Sequence, residues 1–260
     1  MRPYGFKPFV ARMGPIYLWA RRMRAVTRYA AKRPHDPDFS AFGVLPGNGL
    51  FLDVGASIGQ SALSFRIFNR EAPILSLEPL PSHRGDLRFV RKVIGGHRFM
   101  IVGAAERSTT ATLYVPMLGS YELPAEASLR QQDASAVLNR LEARGTNPKR
   151  LWLKEVKVDL RRVDDLELNP SFVKIDVEGA EMGVLRGMSE TIGRSRPALM
   201  VERSDRFEKV AELLGEVGYR AFAYDPDSKE FRAYEGQQTV NVFFLPDGDE
   251  LAVKAEPARH

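Results

Sequence analysis

The 260-residue chain predicts an α/β fold, a mostly parallel seven-stranded sheet with helices on both faces and an antiparallel hairpin at its C-terminal edge. Short apolar runs that stop at turn signals alternate with segments of helical period, the pattern of a parallel sheet with crossover helices. The first run enters a glycine turn that opens a helix. The last two runs are longer and flank a polar, turn-rich stretch, as in a hairpin.

Residues 49–54, 74–77, 99–102, 172–177 and 198–201 read as five buried parallel strands. Residues 61–68, 180–192 and 207–217 read as helices. In the second of these Val184, Leu185, Met188 and Ile192 fall on one face, as in a helix laid on a sheet. Residues 219–224 and 240–245 supply the hairpin. Between 113 and 163 the pattern loosens around a helix-like stretch, 133–144, and a strand-like one, 153–158; a lid-like segment over the active site is expected around 116–154. The domain is expected to span 47–248, between a basic extension (1–46) and a tail (249–260).

Charge is unevenly spread. Residues 1–35 hold nine Lys or Arg and no acid, leaving 29 basic against 33 acidic groups elsewhere. The body is therefore mildly acidic, which argues against a nucleic-acid groove. With no cysteine, disulfides and thiolate chemistry are excluded. No apolar run is long enough to cross a bilayer and no cleavable leader is legible, so a cytoplasmic protein is expected. The basic residues lie mainly on an amphipathic helix at 15–32, with Trp19, Met23, Val26 and Ala30 on its apolar side. It reads as a cap on the core with solvated arginines, as a foot on anionic lipid, or as a dimer contact.

Three stretches carry chemistry. Phe51 to Gly59 is a strand ending in Asp53 and then a turn, Gly55-Ala56-Ser57-Ile58-Gly59. Glycines there tolerate positive φ and let a ligand approach, and the helix that follows offers N–H groups to an anion. Ser57 replaces the middle glycine of a dinucleotide loop, which favours a ligand without pyrophosphate. Glu78 closes the next strand, where a carboxylate can accept ribose hydroxyls. Lys174 to Glu181 places Asp176, Glu178 and Glu181 at a third strand end, across the switch point of the sheet from Asp53.

With these stretches the sequence resembles the FkbM methyltransferases. The resemblance rests on Asp53 to Gly59, on Glu78 to Pro81, on Ile175 to Glu181, and on Val184 to Gly187, and it extends through Pro197 to Glu202. It implies a Rossmann-like class I methyltransferase fold that uses S-adenosylmethionine, commonly on hydroxyls of sugars, glycans, lipid-linked sugars or natural products. By that resemblance Asp53 with Gly55, Ala56, Ser57 and Gly59 would hold the methionine end, Glu78 and Pro79 the ribose side, and the backbone around Ala104 the adenine edge. Asp176 belongs to the same cofactor site.

Methylating an alcohol requires a base, and Asp176 or Glu178 is the expected catalytic residue. Mg²⁺ on Asp176 and Glu178, polarising the hydroxyl, is the alternative. His83, just past Glu78, is the histidine nearest a motif. Two other functions fit the same fold: a non-catalytic adenosyl-binding module and, less well, a nicotinamide-dependent oxidoreductase.

Overall fold

A computed structural model describes residues 14–204 and 207–248. The first part of the basic extension and the expected tail (249–260) lie outside the described residues. In chain order the elements are α1 (Gly14–Ala30), β1 (Leu50–Val54), α2 (Gln60–Phe68), β2 (Ile74–Leu77), α3 (Arg84–Val93), β3 (His97–Met100), β4 (Gly103–Ala104), β5 (Thr109–Leu118), β6 (Tyr121–Glu122), α4 (Gln131–Ala143), β7 (Leu151–Arg161), β8 (Pro170–Ile175), α5 (Glu181–Arg186), α6 (Ser189–Ser195), β9 (Ala198–Glu202), α7 (Phe207–Glu216), β10 (Tyr219–Asp225), β11 (Glu230–Ala233) and β12 (Asn241–Pro246).

The main sheet runs β11-β10-β12-β9-β8-β1-β2-β3. Strands β3, β2, β1, β8 and β9 are parallel, whereas β12 pairs antiparallel with β9 and β10 antiparallel with β12. The expected seven strands are thus eight. The additional one, β11, forms inside the polar stretch between the last two strands and pairs with β10 at the edge. Edge strands need only one apolar face, and β11 buries Phe231 alone.

Side-chain alternation assigns each strand two faces. On one, Leu52, Val54, Val173, Ile175, Leu199 and Val201 pack with residues of α5, α6 and α7. On the other, Phe51, Phe172, Met200 and Phe243 pack under α2 together with Phe39 and Phe42. These two phenylalanines come from a 3₁₀ turn, Pro37–Gly43, started by Asp36, whose carboxylate accepts the Asp38 N–H. The domain core therefore begins before residue 47, because the turn supplies part of the cover of this sheet face alongside α2. Phe42 meets Phe51, Phe65 and Phe172 edge-on at centroid distances of 5.3, 5.2 and 5.7 Å.

Three further elements depart from the expectation. The expected helix 180–192 is two, broken at Gly187, where a Cβ would overlap the Ala105 carbonyl. The Asp164 carboxylate then caps the new start of α6 by accepting the N–H groups of Glu190 and Thr191. The loosely patterned region contains a second sheet, β4-β7-β5-β6, in which β5 and β7 form a long antiparallel ribbon with α4 against it. Helix α3 is also unanticipated. It buries Leu87 and Val90 beneath an otherwise charged sequence.

Phe42→Ala removes a ring in contact with five others, and a loss of about 3 to 5 kcal/mol of unfolding free energy is expected. Urea denaturation should show a lower midpoint with an unchanged slope.

Candidate active site

Register places the motif residues in one row. Asp53 lies opposite Ser76 on one side and Lys174 on the other. Because residues two apart share a face, these three stand directly above the phenylalanine layer, at the C-terminal ends of the parallel strands. Past β8, Asp176 donates its N–H to the Val54 carbonyl, and the end of β9 brings Glu202 alongside it.

Lys174 is buried, and its Nζ lies 2.9 Å from Asp176 Oδ2. Burial opposes its charge, but Asp176 and then Asp53 outweigh that and raise its pKa. Asp53 has no exposed surface, so the expectation that it faces a ligand directly is corrected: its carboxyl is sealed in the sheet, within reach of the charge of Lys174. Burial pushes its carboxyl up to about 6, against the pull of Lys174 and the Ser76 hydrogen bond. Ser76 Oγ donates to Asp53 Oδ2 at 3.0 Å. His97 Nε2, 3.1 Å from the same hydroxyl, must then be the donor to it. Burial, with Arg66 and Arg91 nearby, pushes the His97 pKa down to about 4, and the ring is neutral. Sequence reasoning missed His97, which opens a strand outside every motif.

Asp176, Glu178 and Glu202 can bring carboxylate oxygens within 4.8 Å of one another. Burial would raise the Asp176 pKa, but Lys174 and the hydrogen bond from Glu202 hold it well below the usual carboxylate range. Glu202 moves the opposite way, raised by burial and by Asp176. At neutral pH the pair holds one proton, and burial together with Asp176 favours it on Glu202. Glu202 ends the fifth parallel strand and was legible only as part of a resemblance. Glu178 stands at the rim with its outer side exposed. Water lost on its inner side, then Asp176, Glu126 and Glu181, push it up to about 7. Its φ is 51° and that of Gly179 is 95°, a pair of left-handed residues of which the first is strained. Glu181 is structural: it is buried and accepts from Gly179 N–H and Ser204 Oγ.

The glycine turn is built tightly on this row. Gly55 has φ 84°, and a side chain there would overlap the Asp176 carbonyl. The N–H groups of Gly55 and Ala56 turn inward to the Leu77 carbonyl, that of Ser57 to Glu78 Oε2 at 2.7 Å, and that of Gly59 to Ala56. The N–H groups expected to receive an anion are those at the start of α2, which have no intrahelical acceptor. Glu78 Oε1 also accepts from Leu80 N–H. A carboxylate has about four acceptor positions, so capacity for a hydroxyl ligand remains. His83 is buried with Nδ1 3.2 Å from Glu78 Oε1, though not aligned for a hydrogen bond.

The second sheet is part of the same wall. Leu80 packs in a cluster with Leu113, Val115, Met117, Val158 and Leu160, and Gly103 is pressed between Leu160 and Pro79. Ala104 pairs with Arg161 of β7, and Ala105 N–H donates to Arg161 O. The Ala105 N–H is thus committed to the second sheet and is not free for an adenine edge. Glu122 on β6 is held below its ordinary pKa, against the effect of burial, by hydrogen bonds with Lys154 and Ser82.

Since folding raises the Asp53 pKa, the native chain retains a proton that the unfolded chain releases between about pH 4 and 6. This contribution lowers stability as pH rises through that window. Asp53→Asn should flatten the slope, and denaturation midpoints measured at intervals from pH 4 to pH 7 on both proteins check it.

Residues 53–221 match the family model of the methyltransferase FkbM domain. Methyltransferase 1 of Beauveria bassiana (strain ARSEF 2860) is 27% identical over 198 residues, 70% of this chain and 76% of the relative. Among solved structures, the Methyltransferase FkbM of Methylobacillus flagellatus KT is 17% identical with a TM-score of 0.49, covering 81% of this chain and 50% of that one. This chain spans about half the length of that protein. The precorrin-6y C5,15-methyltransferase of Geobacter metallireducens GS-15 is 12% identical with a TM-score of 0.41, covering 80% and 82%. The family match begins at Asp53, takes in all the strand ends that form the crevice, and ends in β10; the chain belongs to the FkbM methyltransferase family.

Proposed function

We propose that this FkbM-family methyltransferase uses S-adenosylmethionine to methylate a hydroxyl on a sugar, glycan, lipid-linked or natural-product acceptor, with Glu178 taking the hydroxyl proton. The observation that carries the reading is the contrast between adjacent carboxylates. Asp176 is held ionised by Lys174 and is a weak base, whereas Glu178, pushed up to about 7, is matched to proton transfer near neutral pH. Such a base typically contributes roughly 10² to 10⁴ in rate.

The residues present fit the cofactor. Glu78 retains acceptor capacity for ribose hydroxyls, the open start of α2 suits a carboxylate, and Gly55 keeps the floor free of side chains. When bound, S-adenosylmethionine supplies an electrophilic methyl group on a sulfonium centre, a cation that suits a site rich in carboxylates. The chain's part is alignment: the turn and Glu78 fix one partner, the rim around Glu178 the other, and ordering of this kind can be worth about 7 to 11 kcal/mol.

A second reading is supported by the convergence of Asp176, Glu178 and Glu202. Three carboxylates suit Mg²⁺, which would replace the proton on Glu202 and polarise the acceptor oxygen.

Glu78→Ala should weaken S-adenosylmethionine binding by about 10- to 150-fold, the loss of a hydrogen bond to a charged group; isothermal titration reads it, and unchanged affinity would remove Glu78 from the site. For any hydroxyl acceptor that turns over, kcat/KM should rise with pH through about 7 as Glu178 loses its proton. Glu178→Gln should lose that limb and at least a hundredfold in rate. The same assay with Mg²⁺ or a chelator separates the readings: a metal requirement supports the cation, and indifference supports the proton.

A further inference from the structure

Helix α1 is locked to the domain by charges that a solvated helix would leave in water. Arg21 and Arg22 both reach the buried carboxylate of Asp86 on α3, and the Arg22 guanidinium lies over the Phe89 ring, 5.7 Å from its centroid. Ala25 and Tyr29 pack on the aromatic core. These arginines are therefore structural, which corrects the expectation that the helix's arginines are solvated.

With its inner side so committed, α1 presents the opposite side to the outside. Trp19 is 65% exposed and Met23, one turn later, 38%, with Arg24 exposed beside them. Neighbouring α3 turns Arg84, Arg88 and Lys92, spaced four apart, to the outside as well. The one acid in either helix is Asp86, already neutralised and buried. The chain before α1 adds Arg2, Lys7 and Arg12 and no acid. The outer face of α1 and α3 is thus uniformly positive around an exposed indole and thioether, although the rest of the chain is mildly acidic.

We propose that the α1–α3 face is a docking surface for an anionic lipid bilayer. Basic side chains engage the headgroups while Trp19 and Met23 enter the boundary between headgroups and acyl chains. Apolar groups at the centre of the patch favour a bilayer over a nucleic acid, which offers phosphates but no apolar phase. Among the described residues no helix is long and apolar enough to cross a membrane, so attachment through this face is peripheral. Arg21, Arg22 and Ala25 share a cavity lining with Ile58 of the glycine turn, so the inner side of α1 packs close to that turn.

The test needs neither cofactor nor acceptor, so its outcome is separate from that of the catalytic reading. The chain has two tryptophans, and Trp152→Phe leaves Trp19 as the sole reporter in the full-length protein. Its emission should shift to the blue with phosphatidylglycerol-containing vesicles, stay unchanged with pure phosphatidylcholine, and revert with added salt. Arg88→Gln with Lys92→Gln should lower partitioning about thirty-fold, some five-fold for each charge removed. No response to the anionic vesicles would overturn the proposal. So would an emission already blue without vesicles and insensitive to them, meaning that residues 1–13 or a second copy cover Trp19. An equal shift with duplex DNA would overturn it in favour of nucleic acid.

Discussion

The ammonium of Lys174 sits inside the main sheet between carboxylates contributed by two adjacent strands, and the charges of the crevice are arranged around it. A buried ammonium is stable only with opposite charge close by. Asp53 and Asp176 supply that charge from either side, and each is in turn settled by what lies beyond it. Beyond Asp53 stand the Ser76 hydroxyl and a neutral His97. Beyond Asp176 stands Glu202, kept protonated because two adjacent carboxylates beside one cation cannot both ionise cheaply. The row crosses five strands, and every member but Asp176, which lies just past β8, is held by sheet register rather than by a loop.

The row explains why two carboxylates two residues apart behave differently. Asp176 is within hydrogen-bond reach of Lys174 and stays ionised. Glu178 is turned out of the strand by a left-handed residue pair and faces the negative charge of Asp176, Glu126 and Glu181 more strongly than it feels the lysine. Neighbouring groups with pKa values driven apart are how one site comes to contain both a fixed charge and a proton acceptor. The insertion takes part: Glu126 is contributed by the turn after β6, and Leu80 and Pro79, which follow Glu78, are packed by β5 and β7. The second sheet is therefore a wall of the site.

Much of the site was legible from the strand ends. Asp53, Glu78, Asp176 and Glu178 each follow an apolar run, and their placement on neighbouring strands follows from doubly wound topology. The elements that were not legible have half-exposed or charged sequences. Helix α3 hides Leu87 and Val90 among five basic residues of the segment 84–98, and β7 alternates with an exposed face for most of its length. The turn that supplies Phe42 falls in the stretch expected to belong to the basic extension, and only its docking on the sheet face beside α2 makes it core. Helix 180–192 is continuous by periodicity, yet Asp164, distant in sequence, caps a second start within it.

By itself the sequence determined the main parallel strands with α2 and α7 between them, the terminal antiparallel pair, the face of each strand that is apolar, and which acids end up at strand termini, since all of these follow from local period and turn chemistry. It also determined the family, through short runs read in order. What only the tertiary structure decided is the state of those acids and the surroundings of the basic helix. Whether a carboxylate is sealed, paired, protonated or open depends on groups from strands far apart in the chain, through burial and Coulomb interactions that fall off with distance in space. Asp53 became a prop for Lys174, Glu202 a proton holder and Arg22 a structural anchor for that reason.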